Sequence, residues 1–318
     1  MKRLYFFFTL LAVNALACSL PGKPSTATQP LESATQTPVH AEREAGTSSS
    51  TFDSSKLGTT ESNVTYCTMD GVELKLDVYY PSTSEMPWAV TMYVHGGGWS
   101  SGDKAQGAGA FEIPSLQSAG FLVVSINYRL APEHPFPAMI EDVKCAVRYL
   151  RAHARQYNLD PTHIGVWGGS AGGHLVALLG TSDESAGFDV GEYLDQSGRV
   201  QAVVDMFGPA DLAVQFEGGY ESASRVFDGF DAALASPVTY VSSDDPPFLI
   251  LHGETDVLVP IEQSQILLAA LQAVGVPSEL VTVANAGHSF RPEDGKTISP
   301  SRREIAQMVV EFFEEQMR

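Results

Sequence analysis

Gly168-Gly169-Ser170-Ala171-Gly172 follows the largely apolar run His163-Ile164-Gly165-Val166-Trp167 and precedes a helix-like segment at residues 173–180. A serine between glycines at a strand-to-helix turn lies on a sharp, strained backbone that projects its hydroxyl, which is the geometry of a nucleophile elbow. The alternative is an ordinary Gly/Ser turn between two elements of any α/β protein. The stretch makes Ser170 a candidate nucleophile for covalent catalysis.

Predicted strands surround this turn on both sides. Residues 72–78 alternate apolar and polar side chains, and the Asp70-Gly71 turn predicts a hairpin to a strand near residues 64–68. The other apolar runs are nearly continuous, as expected of parallel strands covered on both faces. These runs are residues 89–94, 121–126, 164–167, 200–207, 247–251 and 280–283. Roughly eight strands are therefore predicted.

Helical spacing of apolar residues appears between these runs, at residues 139–150, 266–271 and 305–313. Strands and helices that alternate after an opening hairpin predict an α/β fold with a mostly parallel sheet flanked by helices. Residues 211–241, rich in Gly, Ser, Phe and Tyr, fit neither pattern. We interpret them either as a long surface connection or as a short lid-like insertion over a pocket.

A serine nucleophile needs a base to take its proton, and the base needs an orienting carboxylate. Asp256 follows the run at residues 247–251, and His288 follows the run at residues 280–283. Loops at the carboxyl ends of parallel strands gather in one crevice, so both side chains are expected to meet Ser170 there. We interpret the three residues as nucleophile, acid and base.

Two neighbouring residues are alternatives for these roles. Glu254 is an alternative acid, although it lies nearer the end of its strand. His252 is an alternative base, although a histidine that closes a buried strand is more often structural. Asp205, inside an apolar run, is interpreted as structural.

A glycine-rich stretch, His95-Gly96-Gly97-Gly98-Trp99, directly follows the run at residues 89–94. The negative charge of a tetrahedral intermediate needs backbone N–H donors, and glycines let the backbone approach a substrate closely. Gly97, Gly98 and Ala171 are the candidates for this oxyanion hole. A phosphate-binding loop is the alternative, but its fingerprints are not present. No metal or organic cofactor is required by this chemistry.

Together these motifs resemble those of the α/β-hydrolase superfamily, in particular esterases related to hormone-sensitive lipase and the bacterial feruloyl-esterase-like proteins of the BD-FAE type. The resemblance covers most of residues 63–318 and includes Tyr128–Pro137, which it implies to be a structural turn. It implies the α/β-hydrolase fold and the triad and oxyanion residues named above.

The chain departs from hormone-sensitive-lipase relatives, which usually carry an acidic residue at the position of Gly169 and a helical cap before the sheet. We therefore favour the feruloyl-esterase-like group. The prediction is an exported serine carboxylesterase that acts through an acyl-enzyme on small-molecule or polysaccharide-linked esters, with short-chain, acetyl or feruloyl acyl groups. The alternatives are an arylformamidase-like or other acyl hydrolase on the same fold, and a catalytically inactive hydrolase-fold binding module.

The N-terminal residues predict export. Residues 1–17 combine a basic start, an apolar stretch and Ala15-Leu16-Ala17, and are interpreted as a signal peptide. The segment resembles the lipobox of bacterial lipoproteins, in which the next residue, Cys18, is acylated, although the lipobox favours Leu where Ala15 stands. Residues 18–62 are polar and predict a flexible tether, which leaves residues 63–318 as the catalytic domain. A cell-surface lipoprotein is expected, with a secreted or periplasmic protein as the alternative.

Charge and cysteine content limit the partners. Without Lys2 and Arg3 the chain has 17 basic and 38 acidic residues, a net charge of −21 with neutral histidines. This balance disfavours nucleic acids and anionic membrane surfaces, so a lipid anchor is the only membrane contact expected. Three cysteines are too few for a disulfide scaffold, and the sequence leaves open whether Cys67 and Cys145 pair.

Overall fold

The computed structural model describes residues 52–83, 85–217 and 225–318. The strands over these residues are β1 (Thr60–Met69), β2 (Val72–Tyr79), β3 (Trp88–Val94), β4 (Leu122–Ile126), β5 (Leu159–Gly169), β6 (Ala202–Met206), β7 (Phe248–Gly253) and β8 (Ser278–Val283). They form one sheet in the order β1-β2-β4-β3-β5-β6-β7-β8. Among these described strands, β2 alone runs in the direction opposite to the other seven.

Helices cover both faces of this sheet. The described α-helices are α1 (Ile113–Ser118), α2 (Ala138–Ala152), α3 (Ala154–Tyr157), α4 (Ala171–Thr181), α5 (Leu212–Glu217), α6 (Glu262–Ala273) and α7 (Arg302–Met317). Apolar residues of α2, α4 and α6 share one buried core, and those of α1 and α7 share the core of the other face. None of the described helices has the length and apolar character needed to span a bilayer.

The predicted architecture is confirmed, including the opening hairpin and the layers of helices. Strands β3, β4, β6 and β7 are buried along their whole length, because helices cover both of their faces. The run at residues 280–283 does not share this burial. It lies in β8 at the edge of the sheet, where Val283 is the only fully buried residue of the strand.

The folded region begins before residue 63, where the sequence pattern placed the end of the tether. The ring of Phe52 packs edge-on against Trp88, with 4.9 Å between ring centroids, and β1 already starts at Thr60. A single aromatic anchor of this kind leaves no periodic pattern in a sequence. The predicted signal peptide at residues 1–17 and the predicted lipidation site at Cys18 lie outside the described residues.

A disulfide joins Cys67 of β1 to Cys145 of α2, with their Cα atoms 6.5 Å apart. The bond closes a long loop, since the two cysteines are 78 positions apart in the sequence. It ties the opening hairpin to the helical layer, and it answers the pairing question that the sequence left open.

The unusual segment at residues 211–241 begins with α5, and its residues 218–224 lie outside the described part of the chain. Residues 225–241 contain three short 3₁₀ turns rather than a long helix. This part is hydrogen-bonded to α4, where the Thr181 hydroxyl donates to the carbonyl of Pro237 at 3.1 Å. Residues 225–241 therefore pack on the helix that follows Ser170.

Candidate active site

Ser170 lies in the turn between β5 and α4. Its φ of +58° and ψ of −122° form a backbone conformation that costs a residue with a side chain about 1–3 kcal/mol. Two backbone hydrogen bonds support the turn, from the Ser170 N–H to the carbonyl of Met206 and from the His174 N–H to the carbonyl of Ser170, both at 2.9 Å. The strained turn that the sequence predicted is therefore present at Ser170.

His288 follows β8 and joins the two other predicted site residues. Its Nε2 lies 3.0 Å from Oγ of Ser170, and its Nδ1 lies 2.7 Å from Oδ2 of Asp256. A carboxylate only accepts hydrogen bonds, so the ring proton belongs on Nδ1 and the lone pair of Nε2 faces the serine. This arrangement allows the imidazole to accept the hydroxyl proton.

The carboxylate of Asp256 is buried and accepts several hydrogen bonds. Its Oδ1 accepts the backbone N–H groups of Leu258 at 2.9 Å and Val259 at 3.0 Å. Burial alone raises the pKa of Asp256, but the His252 ring 3.6 Å away, the bond from His288 and the Val259 N–H together hold this pKa below its usual range. Asp256 is therefore ionised at neutral pH and orients the His288 ring.

The two alternative residues lie elsewhere. Glu254 is exposed, and its carboxylate accepts the backbone N–H of Asn285 at 3.2 Å. His252 is fully buried, with its Nδ1 2.6 Å from Oγ of Ser264 and its Nε2 2.8 Å from the carbonyl of Val259. Both ring nitrogens of His252 are thus occupied, which leaves none for a serine proton.

One residue of the site, which stands directly after β6, was not predicted from the sequence. Phe207 follows this strand, and its ring packs edge-on against the His288 imidazole, with 5.0 Å between centroids. The residue merely ends an apolar run in the sequence, so no pattern singled it out. Asp205 is fully buried in β6 and accepts the backbone N–H of Gly208 at 2.9 Å, while burial raises the pKa of this carboxyl to about 6.

The glycine-rich loop at residues 95–99 follows β3, the neighbour of β5, and therefore lies beside the turn of Ser170. A side chain at Gly96 would place its Cβ 2.7 Å from the carbonyl oxygen of Gly169, so only glycine permits this approach. Within the described residues, the N–H groups of Gly97, Gly98 and Ala171 donate no hydrogen bond to the protein. These three groups are available to an anionic oxygen.

A cleft of about 550 Å³ opens at Ser170 and His288. Its further lining residues include Asp103, Gln106, Ala108, Phe207, Leu258 and Ser289. Neither residues 211–217 nor residues 225–241 contribute to the lining, so these parts of the suspected lid do not cover the cleft. Across the described ranges, no group of three or more His, Cys, Asp or Glu side chains is arranged to hold a metal ion.

The fold, with its Ser, Asp and His side chains on loops after β5, β7 and β8, defines the chain as an α/β-hydrolase. A family model agrees: BD-FAE matches residues 76–271, and the chain belongs to this family. The resemblance predicted from the sequence is thereby confirmed. The matched range runs from within β2 to within α6.

Curated relatives and solved structures support the same class. Esterase LipC of Mycobacterium tuberculosis is 34% identical over 234 residues, which are 69% of this chain and 57% of the relative. The chain spans about half the length of the curated relatives it matches. A truncated carbohydrate esterase from gut microbiota is 31% identical, with a TM-score of 0.69 over 82% of this chain and 97% of that one. Butyrate-bound esterase 2 of Thermogutta terrifontis is 26% identical, with a TM-score of 0.69 over 82% of this chain and 95% of that one.

Proposed function

We propose that this protein is a carboxylic ester hydrolase that works through an acyl-enzyme intermediate. The observation that carries the proposal is His288, which lies 3.0 Å from the hydroxyl of Ser170 and 2.7 Å from the carboxylate of Asp256. A serine held in this contact beside unused backbone donors is the arrangement used for acyl transfer, and ester hydrolysis is the acyl transfer that the relatives favour.

Each step of the reaction has a residue in place. Ser170 Oγ attacks the carbonyl carbon of the ester while its proton passes to Nε2 of His288. The alcohol leaves with that proton, and an acyl ester remains on Ser170. A water molecule then attacks this ester, gives its proton to His288, and the carboxylic acid leaves as the proton returns to Ser170. The N–H groups of Gly97, Gly98 and Ala171 hold the oxyanion in both halves.

We propose esters of carbohydrate hydroxyls as the substrates, with short acyl groups such as acetyl or with feruloyl groups. Support comes from the similarity to a structure described as a carbohydrate esterase and to an esterase with bound butyrate. The volume of the cleft suits an acyl group together with part of its alcohol. A bulky polysaccharide needs a site that stays open, and residues 225–241 leave the cleft uncovered.

Export and lipid anchoring at Cys18 are also part of the proposal. The disulfide between Cys67 and Cys145 supports export, because such bonds persist mainly in oxidising compartments. Cells that express the full chain are expected to incorporate a labelled fatty acid into it, and a Cys18→Ser chain should incorporate none. Equal labelling of the two chains would exclude Cys18 as the anchor.

The decisive experiment on the activity is Ser170→Ala. This variant should keep its fold but lose turnover of p-nitrophenyl acetate by about 100,000-fold, since attack and proton transfer both need the hydroxyl. A fluorophosphonate should label the unsubstituted protein and leave the variant unlabelled. No labelling of either protein would indicate a binding module instead. Rates on acetyl, butyryl and feruloyl esters, acetylated xylan and N-formyl aromatics then distinguish an esterase from a formamidase.

A further inference from the structure

The glycine-rich loop ends at Trp99, a buried residue with a φ of +56°. This left-handed backbone is unfavourable for tryptophan and persists only where the surroundings hold it. Two hydrogen bonds do so. The carbonyl of Trp99 accepts the N–H of Ala131 at 3.0 Å, and its indole Nε1–H donates to Nδ1 of His174 at 3.1 Å.

His174 lies on α4, one helical turn after Ser170, and is fully buried. Its Nε2 is 2.8 Å from the carbonyl oxygen of Ala235. Because Nδ1 accepts the indole proton, Nε2 must carry the ring proton and donate it to Ala235, so a single neutral tautomer satisfies both bonds. Burial lowers the pKa of His174 to about 4, which keeps this neutral form at neutral pH.

Aromatic packing fixes the indole in this position. The ring of Trp99 meets His174 and Phe227 edge-on, with centroid separations of 5.2 Å and 5.1 Å. A rotation of the indole would open a void in a close-packed region, which is unfavourable. The indole therefore has one position relative to α4.

We propose that Trp99 and His174 are positioning residues that hold the N–H groups of Gly97 and Gly98 against the turn of Ser170. The inference rests on the proposed ester hydrolase function. Gly98 is bonded directly to Trp99, and the N–H of His174 donates to the carbonyl of Ser170. The hydrogen bond between the indole and the imidazole thus links two parts of the site. One is the loop that bears the oxyanion donors, and the other is α4, the helix that follows the nucleophile.

The expected effect is on turnover rather than on substrate binding. Full negative charge on the carbonyl oxygen exists only near the transition state, so misplaced donors lower kcat and leave KM nearly unchanged. A displacement of 1 Å at such a site costs on the order of 100-fold in rate. The loss of one positioning bond, with the aromatic packing retained, is expected to cost about 10-fold.

Trp99→Phe tests this role, because phenylalanine keeps an aromatic ring but removes the indole donor, together with some buried volume that the His174 variants below control for. Its kcat on p-nitrophenyl acetate should fall about 10-fold, with KM changed by less than about twofold. Inhibition by a boronic acid, which mimics the tetrahedral intermediate, should weaken by the same factor as kcat. An unchanged kcat in the folded variant would overturn the positioning role.

A matched pair at His174 separates its two bonds. In His174→Asn the side-chain oxygen takes the place of Nδ1 and still accepts from Trp99, whereas His174→Gln places its amide near Nε2 and keeps the bond to Ala235. We expect His174→Gln to lose about 10-fold in kcat and His174→Asn to retain most of it. Equal losses in the two variants would assign a packing role to His174 and overturn the inference. This pair also decides the question if Trp99→Phe does not fold.

Thr181→Val is the control, because Thr181 lies on the same helix and bonds to the same 225–241 segment at Pro237. It should lower the unfolding temperature without changing kcat. A fall in kcat equal to that of Trp99→Phe would mean that loosening this segment, not the indole bond, matters. If the unsubstituted protein neither hydrolyses esters nor reacts with a fluorophosphonate, the proposed function fails and this inference fails with it. Normal activity in all variants overturns the inference alone.

Discussion

Two histidines approach the carboxylate of Asp256 from neighbouring strands, and their surroundings differ. The side chain of His288, after β8, is 21% exposed and presents Nε2 to Ser170. The side chain of His252, at the end of β7, is fully buried and uses both ring nitrogens for bonds to Ser264 and Val259. The same residue type beside the same acid serves as a base or as a structural support, depending on whether one nitrogen still faces the cleft.

His252 contributes to the site indirectly. It holds the carbonyl of Val259, a residue whose N–H donates to Asp256. A buried polar group that loses its partner destabilises the fold by about 1–3 kcal/mol, so the histidine supports the loop that carries the acid. Its role is expected to appear in stability measurements more than in kinetics.

The largest expected effect on kcat distinguishes substitutions at these two histidines. His288→Gln should lower kcat on p-nitrophenyl acetate by about 100,000-fold, because no other side chain in the described ranges is hydrogen-bonded to the serine hydroxyl. His252→Gln should lower the free energy of unfolding by about 2 kcal/mol and change kcat by less than about 10-fold. Steady-state rates and urea unfolding of both variants check this. A well-folded His252→Gln protein without activity would break the distinction between the two histidines.

A smaller but still large effect is expected at the acid. Asp256→Asn should lower kcat about 10,000-fold, since an amide no longer orients the ring or stabilises the imidazolium. Glu254→Gln is the matched control and should change kcat by less than about twofold, because this carboxylate is exposed and accepts the backbone N–H of Asn285 rather than a bond from the His288 ring. The reverse ranking of the two variants would exchange their roles.

The triad was predictable from the sequence because each of its residues lies within five positions of the end of an apolar run. Ser170, Asp256 and His288 stand after β5, β7 and β8, and parallel strands bring such positions to one edge of the sheet. The sequence already favoured His288 over His252 as the base, and the burial and the two hydrogen bonds of His252 support that choice. Trp99 and His174 are 75 positions apart, so their contact was not predictable from local patterns.

The disulfide should affect stability and leave the cleft unchanged. Replacement of both Cys67 and Cys145 by serine is expected to lower the free energy of unfolding by about 4 kcal/mol, because the bond closes a loop of 78 positions. Urea unfolding with and without a reducing agent measures this. The folded double variant should keep the kcat of the parent, because the hairpin and α2 lie away from the lining of the cleft. A large loss of kcat would instead couple the hairpin to the site.

The smallest effect concerns a buried acid whose surroundings contrast with those of Asp256. Glu112 is fully buried, and neither of its carboxylate oxygens has a hydrogen-bond partner in the described part of the chain. Burial raises the pKa of Glu112 to about 8, although the charge of Arg302 opposes this rise. The side chain is therefore protonated in the folded protein at neutral pH.

The sign of the resulting pH dependence is opposite at the two acids. Above about pH 4.5 the unfolded chain releases the Glu112 proton while the folded protein keeps it, so stability falls as the pH rises toward about 8. The lowered pKa of Asp256 instead gives stability that is lost as the pH falls. Glu112→Gln should remove the first dependence, so that its free energy of unfolding rises relative to that of the parent by about 3 kcal/mol between pH 5 and pH 8. Urea unfolding of the variant and the parent at pH 5 and at pH 8 checks this. An equal change of stability in the two proteins between these pH values would contradict it.

The sequence alone determined the class of fold, the order of its strands and helices, and the residues that follow each buried strand. These features are local, because hydrophobic periodicity and glycine placement act over a few neighbouring residues. Only the tertiary structure decided how each histidine is bonded, whether Cys67 and Cys145 pair, and what holds Trp99 beside α4, the helix that follows Ser170. Those outcomes depend on burial and on contacts between distant segments, and both arise only when the sheet and its helices pack together.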